Sequence, residues 1–215
     1  MEEDTYEYEG REVTVSYDAN RCIHVRECVE GLPAVFDADR RPWVDPDAAA
    51  PDAVADVVER CPTGALHYER ADGRQEATPP VTVVTATSDG PLYVRGDVTV
   101  RAGGTVLEDT RVGLCRCGHS GNKPLCDNRH SRVFDAEGDI DPNAPLDAGE
   151  DTDGPLTITA TPDGPFRLEG EFLLRTAEGV ERRESAALCR CGRSGDKPFC
   201  DGTHAEVGFT TGEGE

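Results

Sequence analysis

Lysine is almost missing from this chain: Lys123 and Lys197 are the only two among 22 basic residues, and the rest are arginine. Aromatic residues make up 6% and the hydrophobic set 36% of the 215 residues, below the apolar share of an ordinary globular protein. A single large apolar core is thereby excluded, and several small units that need staples are expected. No apolar run approaches the ~18 residues of a membrane span. The N-terminus, Met1-Glu2-Glu3-Asp4, has neither the basic region nor the apolar stretch of a secretion signal. A soluble, cytoplasmic protein without membrane attachment is expected.

Acid is what the chain has in excess. Forty-three Asp and Glu oppose those 22 basic residues, for a formal net charge of -21. Self-repulsion of this size is relieved by salt screening, so the composition reads as halophilic. It also disfavours nucleic acid and anionic lipid as partners, since both carry the same sign. Nine cysteines are the candidate staples. Their odd number and a reducing compartment both argue against disulfides and for metal ligation.

Sliding the chain over itself by 74 residues reveals a duplication. Asp89-Gly90-Pro91 falls on Asp163-Gly164-Pro165, Cys115 on Cys189 and His130 on His204, without a gap from Val83 to Val133. In the first copy Val81 to Thr87 is a β-branched run, and Leu92, Val94, Val98 and Val100 share one parity, as a half-buried strand requires. Phe166, Leu168, Phe172 and Leu174 repeat that pattern, and Asp-Gly-Pro turns separate the strands. Two linkers are expected: Arg70 to Pro80, and the acidic stretch Asp135 to Pro155, read as an extended, solvated connector. The tail from Gly212 is expected to be disordered. Before the repeats, Glu12 to Tyr17 alternates as a strand. Ala53, Val54, Val57 and Val58 stripe a helix starting near Pro51, and Ala65 to Tyr68 suits a closing strand. The domains expected are therefore 1–75, 81–134 and 156–210, with 135–155 as linker.

Chemistry concentrates in Cys115-Arg-Cys117-Gly-His-Ser120-Gly-Asn-Lys123-Pro-Leu-Cys126-Asp127-Asn128-Arg129-His130 and in its copy, Cys189-Arg-Cys191-Gly-Arg-Ser194-Gly-Asp-Lys197-Pro-Phe-Cys200-Asp201-Gly202-Thr203-His204. Each offers three thiolates and one imidazole. Structural zinc also takes this donor set, but its ligand pairs normally have two to four residues between them, whereas Cys115 and Cys117 have one. Soft thiolates equally suit iron–sulfur clusters.

These stretches resemble the CDGSH, mitoNEET-type, iron–sulfur family, whose motif is C-x-C-x2-[ST]-x3-P-x-C-D-G-[SAT]-H. The second copy matches throughout. The first departs at Asn128, a residue able to replace glycine at positive φ, and at bulky Arg129. The resemblance implies one [2Fe-2S] cluster on Cys115, Cys117, Cys126 and His130, and another on Cys189, Cys191, Cys200 and His204. One imidazole in place of a thiolate removes a negative charge and raises the potential. Asp127 and Asp201 suit helix N-caps that aim amides at an anionic cluster, and Lys123 and Lys197 suit charge compensation around it. Two motifs in one chain imply a monomer with internal pseudo-twofold symmetry.

The remaining cysteines form Cys22-Ile-His24-Val25-Arg-Glu-Cys28 and a distant Cys61-Pro62. With Gly31-Leu-Pro-Ala-Val-Phe36 and Arg41-Pro-Trp43, residues 6–69 resemble the divergent mono-cluster 4Fe-4S ferredoxin domain, with Val25 where the second ligand would stand. Cys22, Cys28 and Cys61 alone suit [3Fe-4S], the favoured form; a [4Fe-4S] cluster needs His24, water or another donor at its fourth iron. Trp43 and Phe36 read as core packing. The expected fold is α+β: a small ferredoxin-like N-terminal domain, then a tandem, mostly β, pseudo-twofold CDGSH pair. The expected function is electron transfer between redox partner proteins through three clusters, with no catalytic residues. The alternative is cluster storage, transfer or redox sensing. No nucleotide-binding fingerprint is present and every thiol is committed to metal, so enzymatic activity of its own is not expected.

Overall fold

The computed structural model describes residues 4–139, 141–146 and 151–212. The first three residues, the end of the expected disordered tail (213–215), and 140 and 147–150 of the acidic stretch lie outside them. The chain divides into two units, Met1–Ala77 and Thr78–Glu215. It is mostly sheet with a few short helices, and no helix among the described residues is long and apolar enough to cross a membrane.

In the first unit, strands β1 (Thr5–Glu9), β2 (Val13–Asp18) and β3 (Leu66–Arg70) form an antiparallel sheet with β2 central. Strand β1 escapes the sequence pattern because it is an edge with four of five residues exposed. Helix α1 (Glu27–Gly31) and a 3-10 turn (Pro46–Ala48) lead to helix α2 (Pro51–Val58). Proline at its first turn forfeits no hydrogen bond there. Val54, Val57 and Val58 then fall on one face and pack with Val13, Val15, Phe36 and Leu66. The stretch read as a linker from Arg70 partly folds back: Glu69 bridges Gln75, and His67 Nδ1 lies 2.9 Å from Glu76 Oε2.

In the second unit, β4 (Val83–Ala86), β5 (Leu92–Ala102) and β6 (Thr105–Leu114) are repeated by β7 (Leu156–Ala160), β8 (Phe166–Thr176) and β9 (Gly179–Leu188). Helices α3 (His130–Val133) and α4 (Thr203–Glu206), one turn each, end the repeats. The parity pattern appears as read: Leu92, Val94, Val98 and Val100 are buried on β5, and Phe166, Leu168, Phe172 and Leu174 on β8. Both strands carry a register shift, between Arg95 and Val98 and between Glu169 and Phe172. Strands β6 and β9 were not legible, since each pairs on one side only and much of its length is exposed.

The repeats interlock through parallel pairs. Strand β4 runs beside β8, with Val84 opposite Leu174, and β7 beside β5, with Ile158 opposite Val100. Shifting Val84 forward and Leu174 back by the 74-residue repeat gives Ile158 and Val100, so exchanging the repeats maps the pairing onto itself. Strands β4, β5, β7 and β8 close a ring through these pairings, and one core fills it, from Val84 and Leu92 to Phe166, Phe172 and Leu188.

Among its described residues, the acidic stretch makes specific contacts. Asp89 and Ala136 exchange bonds, Asp89 N to Ala136 O and Ala136 N to Asp89 Oδ1, both 2.8 Å. Asp139 bridges Thr87 in parallel, and Arg175 donates to the carbonyls of Asp141 and Ala144. Backbone amides and arginines hold the segment along the second unit, contacts that composition alone does not reveal.

Candidate metal centres

Strand β6 delivers Cys115 immediately after buried Leu114. The loop then turns back on itself: Cys115 N donates to Pro124 O and Cys126 N to Gly113 O, each 2.9 Å. Ser120 Oγ donates to Leu125 O at 2.7 Å and accepts Asn122 N at 3.0 Å. This folding sets Cys115 Sγ 3.7 Å from Cys117 Sγ, and Cys126 Sγ 3.1 Å from His130 Nδ1. The second repeat builds the same frame. Cys189 N donates to Pro198 O and Cys200 N to Ala187 O. Cys189 and Cys191 sulfurs stand 3.7 Å apart, and Cys200 Sγ is 3.3 Å from His204 Nδ1. Asn128 takes φ 71°, matching Gly202 at φ 91°, so the first motif keeps its turn without glycine.

Among the described residues, no three Cys, His, Asp or Glu side chains converge on one ion. The donors come instead as pairs, Cys/Cys and Cys/His, each pair close enough to share one metal.

The thiols of a pair are electrostatically unequal. The hydrogen bond from Cys117, joined by the amides of Ser120, Gly118 and Cys117, brings Cys115 down to about 6. The same thiol pairing and burial push Cys117 up. Burial raises Cys126 to about 12, and burial lowers His130. Neutral imidazole is the form that ligates metal. Cys191 is likewise raised by burial, although Arg193 N points at its sulfur from 3.4 Å.

Asp127 and Asp201 do not cap the helices. The N-cap positions are Arg129 and Gly202, without side-chain caps. Each carboxylate clasps its loop instead. Asp127 accepts Gly121 N (2.7 Å) and Arg129 N (3.2 Å), and Asp201 accepts Gly195 N (2.7 Å) and Thr203 N (3.0 Å). These amides hold Asp201 down at about 2. Lys123 and Lys197 donate to the Ser120 and Ser194 carbonyls, at 2.9 and 2.7 Å, so both ammonium groups brace the loops. Arg129 lies outward across Gly121 to reach His119 O.

The arginines between the paired cysteines, Arg116 and Arg190, are each 2% exposed. Sequence reasoning passed over them. The identical Cys-Arg-Cys in both copies was the available signal.

In the first unit, Cys22, Cys28 of α1 and Cys61 beyond α2 line one open pocket with Tyr17, His24, Val25, Trp43 and Thr63. Burial first, then the negative fields of Cys61 and Cys22, raise Cys28 to about 11. His24, at φ 59°, puts Nδ1 3.8 Å from Cys22 Sγ. Burial and a hydrogen bond with Cys22 raise Tyr17, whose ring meets Trp43 edge-on at 4.9 Å. Trp43 and Phe36 pack against each other at 5.9 Å, as core residues do.

The family description "divergent 4Fe-4S mono-cluster" matches residues 8–71, and "iron-binding zinc finger CDGSH type" matches residues 89–131 and 163–205. The chain belongs to both iron–sulfur families, through separate parts of its length. Over 61 residues, 28% of this chain, it is 36% identical to the uncharacterized protein YjdI of Escherichia coli strain K12, covering 80% of that protein. The same figures hold for YjdI of Escherichia coli O157:H7. No solved structure matches. As a mono-cluster domain followed by two CDGSH repeats, this is an iron–sulfur protein.

Proposed function

We propose that the protein is an electron carrier with three clusters in one chain. The observation that carries this reading is the pair-wise donor geometry, built twice on the same frame. Cys115 and Cys117 would hold one iron of a [2Fe-2S] cluster and Cys126 and His130 the other; Cys189 and Cys191, with Cys200 and His204, would do the same in the second repeat. Bound there, each cluster supplies a site that takes up and releases one electron. The chain's own part is to hold the donors rigid, so that little rearranges on reduction. Strand-end hydrogen bonds fix the first cysteine of each motif, and the Asp127 and Asp201 clasps fix the segment before each histidine. Neutral histidine raises the potential above that of a four-cysteine site.

In the first unit Cys22, Cys28 and Cys61 would hold a [4Fe-4S] cluster with His24 as fourth donor, on the strength of its position over the same pocket. A [3Fe-4S] cluster on the three cysteines is the competing form, supported by Val25 standing where a second ferredoxin cysteine would be. The clusters take no part in catalysis in this reading, and the partners are a donor and an acceptor protein. With a net charge of -21, docking faces of positive charge suit it best, and a cytoplasmic monomer is the form proposed.

Cluster storage or transfer is the second reading, favoured by the histidine ligands, which a proton can compete away. Repeated anaerobic reduction and reoxidation separates the two. A carrier keeps its iron and visible absorbance through many cycles. A cluster donor loses them to an apo-ferredoxin acceptor at mildly acidic pH.

A further inference from the structure

The two Cys-Arg-Cys arms meet at the pseudo-twofold seam, where Cys117 and Cys191 form an antiparallel bridge with each other. The loops beyond them share a frame but not a surface. Arg129 stands where the second repeat has Thr203, and Arg132 where it has Glu206, while Val133 is matched by Val207. On a helical turn, residues three and four apart are neighbours. Arg132 and Val133 of α3 therefore stand beside Arg129, and Val133 also beside His130. Glu206 and Val207 of α4 take the same places around Thr203 and His204. The two valines are 52% and 51% exposed, so each histidine has an apolar residue beside it at the surface.

The charge around those residues differs in sign. From His119 to Phe134 the first repeat carries Lys123, Arg129 and Arg132 against Asp127 alone. From Arg193 to Gly208 the second carries Arg193 and Lys197 against Asp196, Asp201 and Glu206. Asp127 is already engaged, pairing with Arg129 Nε at 3.3 Å and accepting Gly121 N. Arg129 still keeps 60% of its side chain exposed. Arg132 is exposed and has no ion pair among the described residues. In a chain of net charge -21 this is a local reversal, and it is short, since acid returns at Asp135. Screening over ~8 Å at physiological salt keeps distant carboxylates from cancelling it. A short cationic edge around an apolar contact fits a compact patch of carboxylates on a protein. An extended polyanion would run onto the acidic remainder of the chain.

We propose that the first repeat is the docking face for an acidic one-electron carrier protein. Arg129 and Arg132 pair with its carboxylates, Val133 is the apolar contact, and Glu206 makes the second repeat reject it. This rests on the reading of the protein as an electron carrier. One electron passes from the reduced partner to the oxidised [2Fe-2S] cluster of the first repeat, with no bond or proton moved. The positive docking faces that suit the chain as a whole then belong to its other partner.

The test is stopped-flow oxidation of a reduced, acidic plant-type [2Fe-2S] ferredoxin by the intact, cluster-loaded protein over a series of salt concentrations. A four-cysteine donor lies below a site with a histidine ligand, so the transfer is downhill. The rate is expected to fall as salt rises, as attraction between opposite charges does. R129T with R132E gives the first repeat the residues that the second already carries on the same frame. This double variant is expected to react about tenfold more slowly and to lose the salt dependence. T203R with E206R, the reverse exchange, is expected to speed the reaction. R132E alone gives the same direction should the double variant fail to load clusters. An unchanged rate with iron and sulfide intact overturns the proposal, as does a protein that dithionite reduces and the ferredoxin does not. Binding of a short DNA duplex that R129T with R132E abolishes also overturns it, by assigning the arginines to nucleic acid. A protein that neither reductant reduces overturns the carrier reading instead.

Discussion

Substituting alanine for Gly118 probes the seam on which both repeats depend. The backbone there has φ +81°, a left-handed conformation that costs a residue with a Cβ about 1–2 kcal/mol. The new methyl would also sit 2.8 Å from Cys191 O and 3.1 Å from Cys191 C. Both are backbone atoms that cannot rotate away, so the two arms must part, adding about 1–3 kcal/mol of overpacking. The expected loss is about 2–5 kcal/mol, a large share of the 5–15 kcal/mol that holds a typical domain. At about 3 °C per kcal/mol for a unit of this size, G118A should melt about 6–15 °C lower, followed by loss of visible absorbance. Gly104 is the control: its φ is +90° but nothing lies within 4 Å of its Cβ. G104A should therefore lose only the conformational part, about 3–6 °C. G192A should match G118A, and the double variant should lose less than their sum, because one opening relieves both contacts. A G118A protein that melts no lower than G104A would refute a tightly closed seam.

Two further outcomes follow from the motif loops. Because Asn128 stands at φ 71°, N128G should melt within a few degrees of the unchanged protein. N128V, with a branched side chain forced into the left-handed region, should lose about 2 kcal/mol; equal melting of the two would contradict the turn assigned here. The pH dependence separates histidine from aspartate. Burial lowers His130 from its ordinary 6.5, so the unfolded chain binds the proton first. Stability contributed by the neutral ring is complete above about pH 6.5 and is lost as pH falls toward the lowered value. Asp201, held at about 2, keeps its clasp until pH drops below about 4. Absorbance decay measured from pH 7.5 to 4.5 should accelerate below about 6.5, and a rate that is flat to pH 4.5 would contradict the histidine's role.

The parts of this molecule that the sequence announced are those where one local rule decides. Parity placed Leu92, Val94, Phe166 and Leu168 in the core because each strand has one dry face. The ability of asparagine to accept positive φ placed Asn128 in the turn that Gly202 makes. Duplication paired every cysteine of one loop with its counterpart. What stayed hidden depends on partners distant in the chain. Strands β6 and β9 lack alternation because only one end of each is covered. The acidic stretch looks solvated by composition, yet Asp89, Arg175 and the backbone of β4 hold it. The carboxylates of Asp127 and Asp201 sit just before helices and so resemble caps, but the glycine amides six residues back claim them. Nothing periodic marks Arg116 and Arg190; loop carbonyls and aromatic rings cover them, Thr87 O, Gly90 O and Phe134 the first, and Thr161 O and Phe166 the second. His24 was legible as a possible fourth donor from its place between Cys22 and Cys28, although nothing periodic marks it. Its placement beside Cys22 comes from a left-handed turn.

Iron and acid-labile sulfide counted per chain, with anaerobic EPR before and after dithionite, test the central claim most directly. The account predicts about eight irons and eight sulfides, with [2Fe-2S] signals from both repeats appearing on reduction. It also predicts that H24A drops the count to about seven irons, with an oxidised [3Fe-4S] signal in place of the [4Fe-4S] one. Zinc without sulfide at the Cys3His sets would contradict it.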